Sequence, residues 1–105
     1  YQAPAAIVVC ANKTKAWKRP FDGKITTDID ASILTDHMML EATELGLGSV
    51  WICYFNPDIL KEELNLPENL EPVNILALGY SDELDASAER HKDMRIGMDE
   101  LVSYL

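Results

Sequence analysis

Two glycines lie one residue apart within "ELGLGSVWICYF" at residues 44–55, at the end of a helix-like stretch. Glycine can form a nucleotide-binding turn, end a helix at low cost, or leave the backbone bare for a closely approaching cofactor. A dinucleotide fingerprint needs glycines after a strand, at the start of a helix, with a third glycine three residues after the second. Here the helical pattern comes first and Trp51 occupies the third position, which excludes that interpretation. The helix end and the bare backbone remain as predictions.

Other residue types that commonly carry chemistry are scattered along the chain. His37, His91, Cys10 and Cys53 show neither Cys-x-x-Cys nor His-x-x-x-His spacing, so no metal site is predicted. Both cysteines lie in apolar, strand-like runs, which predicts buried free thiols. Ser49 is not followed by the glycine that a hydrolase nucleophile elbow requires. The sequence therefore offers no nucleophile, and we predict no catalytic side chain.

A dense basic cluster lies near the C-terminus of this acidic chain and comprises Arg90, His91, Lys92 and Arg95. Neighbouring carboxylates are one explanation, because isolated basic residues usually balance local acids. The other is that Lys92 and Arg95, in a glycine-bearing loop, provide charge-assisted donors to a single phosphate. The residues alone leave both interpretations open.

Composition narrows the classes of function. The formal net charge of −9, from 18 acidic and 9 basic side chains, repels phosphate backbones and argues against a nucleic-acid partner. The longest apolar runs fall far short of the roughly 20 residues that span a bilayer, so no membrane association is expected. We predict a cytoplasmic protein of at most one domain, because no signal-peptide pattern opens the chain and the cysteines are unpaired.

The strands that must position these groups are indicated by apolar runs. "APAAIVVCANK" predicts a buried strand ending near Ala11, and "SVWICYF" predicts a second strand over 49–55. "EPVNILALGY" at 71–80 is apolar almost throughout its centre, which is typical of a central strand buried on both faces. Between the last two, Asn56 as N-cap and Pro57 at the first helical position predict a short helix.

A longer helical pattern begins at Thr27, where Thr27 and Asp30 form a capping-box-like start. Gly46 follows its last periodic residue, where a helix commonly needs a left-handed residue. The mixed segment before this helix predicts a loop that contains Trp17 and Phe21. We interpret these aromatic side chains as pinning the loop to the core, and lining the mouth of a pocket is the alternative.

The order of these pieces resembles the FMN-dependent nitroreductase family. The most specific segments are "LEATELGLGSVWI" and "PVNILALGY", joined by a helix that ends in "LNLPE", and the tail "RIGMDELV" extends the match along nearly the whole chain. The resemblance implies an incomplete α+β fold, a three-layer α/β/α sandwich with a mainly antiparallel sheet in which 72–79 lies between 4–11 and 49–55. An Arg-Ser-x-Arg-like opening, which family members use to grip the flavin phosphate, is absent. Residues 1–105 are therefore expected to be the C-terminal portion of a single nitroreductase-like domain.

The resemblance also implies a cofactor, partners and a site. Family members bind FMN at a homodimer interface, reduce it with NADH or NADPH, and pass the electrons to a small acceptor such as a nitroaromatic or a quinone. Carried over to this sequence, the residues beside the flavin ring are Ile52, Cys53 and Tyr54, with a close backbone approach at Gly48, and the phosphate-binding residues are Lys92 and Arg95. The flavin itself carries the chemistry, which agrees with the lack of a nucleophile. The alternative is a non-catalytic, flavin-free fragment or interaction module of the same fold.

Overall fold

The computed structural model describes residues 2–82 and 86–104. These residues form three strands and four helices: β1 (Ala5–Asn12), α1 (Thr27–Glu44), β2 (Gly48–Ile52), α2 (Pro57–Glu63), β3 (Leu70–Gly79), α3 (Arg90–Met94) and α4 (Met98–Leu101). None of the described helices combines the length and apolar character that crossing a bilayer requires.

The strands form one sheet in the order β1, β3, β2, with β3 antiparallel to both neighbours. This is the order that the resemblance implied, with the last strand inserted between the first two. Since β1 and β2 are both antiparallel to β3, they run in the same direction, and both finish towards the end of the sheet at which β3 begins. The register places Ile75 of β3 opposite Val8 of β1 on one side and Ile52 of β2 on the other.

Helix α1 packs across all three strands and covers one face of the sheet. The apolar core is small and comprises Val9, Ala11, Ala31, Ala42, Leu76 and Ala77. A polar contact is buried with it, where the Thr35 hydroxyl lies 3.1 Å from Oδ1 of Asn74. The predicted two-sided burial of the central strand is realised only in part: Leu76 is fully buried, whereas Ile75 is half-buried.

Both predicted helix ends that rest on local signals are confirmed. Gly46 has a φ of +73°, its amide donates to Thr43 O (3.0 Å), and the amide of Leu47 donates to Ala42 O (2.8 Å), so α1 ends in a Schellman motif. Helix α2 begins at Pro57, and Asn56 caps it by accepting from two backbone amides.

The predicted capping box is wrong in its details. Thr26, not Thr27, is the N-cap residue of α1, and it makes no side-chain capping hydrogen bond. Acidic residues do occupy the first turn, at Asp28 and Asp30, where they face the positive end of the helix dipole.

The loop between β1 and α1 also differs from the prediction. Trp17 is 63% exposed and Phe21 is 95% exposed, so these side chains do not pin the loop to the core of the described chain. Local hydrogen bonds hold the loop instead, including an antiparallel bridge between Lys18 and Ile25. Segments of this kind need no core contact when short-range backbone bonds define the turn.

Candidate functional site

The residues predicted to lie beside a flavin ring form a turn at the end of β2. The strand ends at Ile52, three residues earlier than predicted, so Cys53, Tyr54 and Phe55 leave the sheet. The Phe55 amide donates to Cys53 O over 3.2 Å, and Asn56 anchors the other end of the turn as the cap of α2. The geometry of this turn is therefore determined on both sides by regular structure.

This turn is open to solvent. Cys53 is exposed, Tyr54 is fully exposed, and residues 53–56 line a cavity of about 410 Å³. The prediction of a buried thiol is wrong for Cys53, because the strand that would have buried it ends one residue before. Cys53 and Tyr54 thus lie together on one open cavity, and Ile52 directly precedes them as the last residue of β2.

Gly48 lies at the opposite end of β2. It lines a different cavity of about 410 Å³ together with Pro4, Gly79 and Tyr80. A Cβ added at Gly48 would lie 3.4 Å from Gly79 O, so the glycine eases close packing between β2 and the end of β3. Cys53 follows Gly48 by five positions along extended chain, a distance of about 16 Å. The structure therefore does not bring Gly48 to the Cys53 turn.

Lys92 and Arg95 lie in the C-terminal arm, the name we give to residues 86–104. Lys92 forms an exposed ion pair with Glu89, and Arg95 ends α3 in an extended conformation. Within the described residues, neither α3 nor α4 packs against another helix or strand. Within the described residues, the predicted phosphate donors therefore lie in a segment whose two helices pack on no strand and on no other helix.

Two titratable side chains have perturbed ionisation. The positive charge of Arg95, followed by partial desolvation and the charge of Arg90, lowers the pKa of His91. Burial, reinforced by the Glu71 carboxylate, raises the pKa of the half-buried Cys10 thiol. Cys10 therefore stays protonated and unreactive near neutral pH. No group of three metal-ligating side chains occurs in the part of the chain that the structure describes.

Sequence reasoning passed over a second concentration of cations, in the loop before α1. It comprises Lys13, Lys15, Lys18, Arg19 and Lys24, with Asp22 as the one carboxylate between them. All of these side chains are exposed. A count of charges in short windows would have found the cluster, which the overall acidity of the chain conceals.

The antiparallel sheet and the helix α1 that covers one of its faces define an α+β domain. The open turn after β2 is the candidate cofactor surface, at one end of that sheet. The model of the nitroreductase family matches residues 1–80. The chain belongs to the nitroreductase family.

Individual relatives support the same family membership. Over 88 residues the chain is 40% identical to a protein of Archaeoglobus fulgidus named as an NADH dehydrogenase/NAD(P)H nitroreductase, an alignment that covers 79% of this chain and 48% of that protein. A solved nitroreductase family protein of Clostridium difficile 630 is 63% identical, with a TM-score of 0.93 over 99% of this chain and 60% of its own. An FMN-dependent nitroreductase of C. difficile R20291 is 30% identical, with a TM-score of 0.68 over 92% of this chain and 58% of its own.

These matches confirm the nitroreductase-like α+β fold that the sequence predicted. They also show that the chain spans about half the length of the curated relative and 60% of the similar structure from C. difficile 630.

Proposed function

We propose that this chain is the C-terminal portion of an FMN-dependent oxidoreductase domain that passes electrons from NADH or NADPH to a small acceptor such as a nitroaromatic or a quinone. Membership of the nitroreductase family supports the oxidoreductase class. The observation that carries the finer proposal is the open turn at Cys53–Phe55, held between β2 and the capped start of α2. A backbone turn of this kind provides hydrogen-bonding groups to a planar ring without requiring a reactive side chain.

The residues fit the two chemical halves of FMN. Cys53 and Tyr54 line a cavity that is open to solvent, and Ile52 directly precedes them at the end of β2, which suits a ring that donor and acceptor must also reach. Lys92 and Arg95 are exposed cations suited to a phosphate. The chemistry that FMN would supply when bound is to accept a hydride from NADH or NADPH and to pass the electrons on to the acceptor. The role of this chain's own residues would be to hold the cofactor in place.

We further propose that the complete site forms in a homodimer. The C-terminal arm exposes large apolar side chains, among them Met94, Met98 and Leu101. The Cα radius of gyration is 17.2 Å, whereas a compact domain of this length has about 13 Å. An arm that extends from the body with its apolar side chains exposed is suited to packing on a second copy. In that arrangement Arg95 of one copy completes the cavity beside Cys53 of the other.

Titration with FMN tests the cofactor assignment. The chain is mixed with increasing FMN, and the polarisation of flavin fluorescence reports binding. Arg95→Ala should weaken FMN binding at least tenfold, because a charge-assisted phosphate contact contributes about 1.5–3 kcal/mol. Arg90→Ala is the matched control, since it removes an arginine of the same cluster that is not assigned to the cofactor, and it should leave the affinity within about twofold.

The same preparation tests the electron donor. Under anaerobic conditions NADH or NADPH should bleach the visible absorbance of the bound flavin, and the more effective donor is the natural one. A colourless chain that takes up no FMN at any concentration would contradict the proposal and support the flavin-free interaction module instead.

A further inference from the structure

The loop between β1 and α1 forms a compact hairpin of opposite charge to the rest of the chain. We call residues 13–25 the basic hairpin. Five of the nine cationic side chains lie in it against one carboxylate, which makes it +4 while the rest of the chain carries −13. Charge of this size makes the electrostatic potential around the basic hairpin positive, although the chain as a whole is negative.

Internal hydrogen bonds give the basic hairpin a defined shape. The Arg19 amide donates to Lys24 O (2.9 Å) and the Gly23 amide donates to Arg19 O (2.8 Å). Gly23 has a φ of +70°, which the turn requires. The Arg19 guanidinium forms a two-point ion pair with Asp22, so this carboxylate and one of the five cations neutralise each other. A hairpin organised in this way loses little conformational freedom when it binds a ligand.

Three lysines of the hairpin remain available to a ligand. Lys13 pairs with Glu71 over 3.7 Å, but no ion pair of the described residues engages Lys15, Lys18 or Lys24. The same segment exposes two aromatic rings, Trp17 and Phe21. Exposed rings beside free ammonium groups are suited to a planar base that carries phosphate.

The basic hairpin and the Cys53 turn lie at the same end of the sheet. β1 leads into the hairpin and β2 leads into the turn, and the two strands run in the same direction on either side of β3. Val8 and Ile52 are at the same level, each opposite Ile75, with one strand between them. β1 continues four residues beyond that level, to Asn12, which lies opposite Leu70. A ligand that reaches from one loop to the other would therefore pass over the first residues of β3, the central strand.

We infer that the basic hairpin binds the adenosine-phosphate half of the nicotinamide dinucleotide, which rests on the proposed use of that dinucleotide as electron donor. The ligand is an anion that an acidic chain repels, so it needs a local cationic region to approach. Three free lysines match the few charges of a pyrophosphate and a 2′-phosphate, and an aromatic ring matches the adenine. A long polyanion would extend past the hairpin onto the acidic remainder of the chain, which disfavours nucleic acid. The 2′-phosphate adds negative charge, so NADPH is preferred over NADH.

The inference is tested with 2′,5′-ADP on the flavin-free 105-residue chain, so that it does not depend on FMN binding. NMR spectra report the indole N–H signals of Trp17 and Trp51, and Trp17→Phe assigns them. Saturable shifts are expected at Trp17 and not at Trp51. The double variant Lys18→Gln/Lys24→Gln should weaken binding about tenfold, because two charge-assisted contacts are lost. Arg90→Gln, which neutralises one charge in the C-terminal arm, should change affinity less than twofold.

Three results would overturn the inference. The first is the absence of saturable shifts at Trp17. The second is an equal loss of affinity in Arg90→Gln and in the lysine variants, which would indicate unspecific attraction to any cation. The third is displacement of 2′,5′-ADP by an equal concentration of inorganic phosphate, which would show that the adenosine ring contributes nothing. FMN titration of the same sample separates these outcomes from a failure of the proposed function.

Discussion

His91 responds to the charge of a residue predicted to bind phosphate, which makes it a reporter for the C-terminal arm. Arg95 is the leading cause of its lowered pKa, ahead of desolvation and Arg90. A nearby positive charge disfavours the protonated imidazole, so the ring of His91 becomes neutral at a lower pH than an ordinary histidine. The pKa of His91 is therefore lower in the folded chain than in the unfolded chain. Its contribution to the free energy of unfolding is fully present above the unfolded-state pKa and is lost as the pH falls through the folded-state pKa.

Arg95→Gln should therefore raise the pKa of His91 towards its ordinary value of about 6.5. The ring carbon-proton signals of His91 in an NMR titration measure the change, and His37→Gln leaves a single histidine for assignment. Lys92→Gln serves as the control, since Lys92 is not among the causes of the shift. An unchanged pKa in Arg95→Gln would mean that the guanidinium lies farther from the imidazole than the structure places it.

The contact between α1 and β3 depends on a buried polar pair. The Thr35 hydroxyl lies 2.8 Å from Ala31 O and 3.1 Å from Asn74 Oδ1, and both side chains are almost wholly inaccessible. Nδ2 of Asn74 has no hydrogen-bond partner among the described residues, so the hydroxyl is the amide's one side-chain partner there. A buried amide left without any partner costs far more than an ordinary hydrogen bond contributes.

Thr35→Val keeps the shape of the side chain but removes the hydroxyl, so it should lower the free energy of unfolding by about 1–3 kcal/mol. Thr43→Val is matched to it, because Thr43 makes the same type of bond to the carbonyl four residues earlier, but on the exposed surface of α1 (2.9 Å to Met39 O). That control should change stability by less than about 0.5 kcal/mol. Urea unfolding curves of the two variants measure the difference, and equal effects would show that the pair with Asn74 contributes nothing.

The extended arm determines the shape of the whole molecule. Neither α3 nor α4 packs on the sheet in the described structure, so their apolar side chains stay exposed. Helix α1 exposes further apolar side chains, at Ile29, Ile33 and Leu40. Together they form more exposed apolar surface than a stable monomer usually has. The chain also carries only a small core for its length. Both observations favour an assembly in which a second copy covers these surfaces.

Sedimentation at increasing concentration should therefore show a monomer–dimer equilibrium. Replacing Met98 and Leu101 by serine removes apolar area from the C-terminal arm and should weaken dimerisation at least tenfold, because two exposed apolar side chains contribute more than about 1.4 kcal/mol on burial. Glu100→Gln, on the same short helix, is expected to leave the equilibrium nearly unchanged. A monomer at every concentration, or a dimer insensitive to the arm, would contradict this assembly.

Some features were predictable because their causes lie within a few residues. The left-handed turn at Gly46 and the cap at Asn56 depend on backbone preferences and a side chain adjacent to the helix end, and both were found where the sequence placed them. The order of the three strands was predicted through the resemblance, not through local pattern. Strand, helix and strand in succession would otherwise suggest a parallel crossover, and β3 enters between the two from later in the chain.

The sequence by itself determined the three strands, helices α1 and α2, the helix ends at Gly46 and Asn56, and the family of this protein. Only the tertiary structure decided which predicted residues lie close together and which are exposed. It exposes Cys53 and the rings of Trp17 and Phe21. It also separates Gly48 from the Cys53 turn by the length of β2, and neither helix of the C-terminal arm packs on the described sheet. The physical reason is that hydropathy patterns record a residue's preference for burial, whereas exposure depends on whether distant parts of the chain, or a second copy, supply the atoms that cover it. The basic hairpin belongs to this second group, since its role depends on lying at the same sheet end as the Cys53 turn.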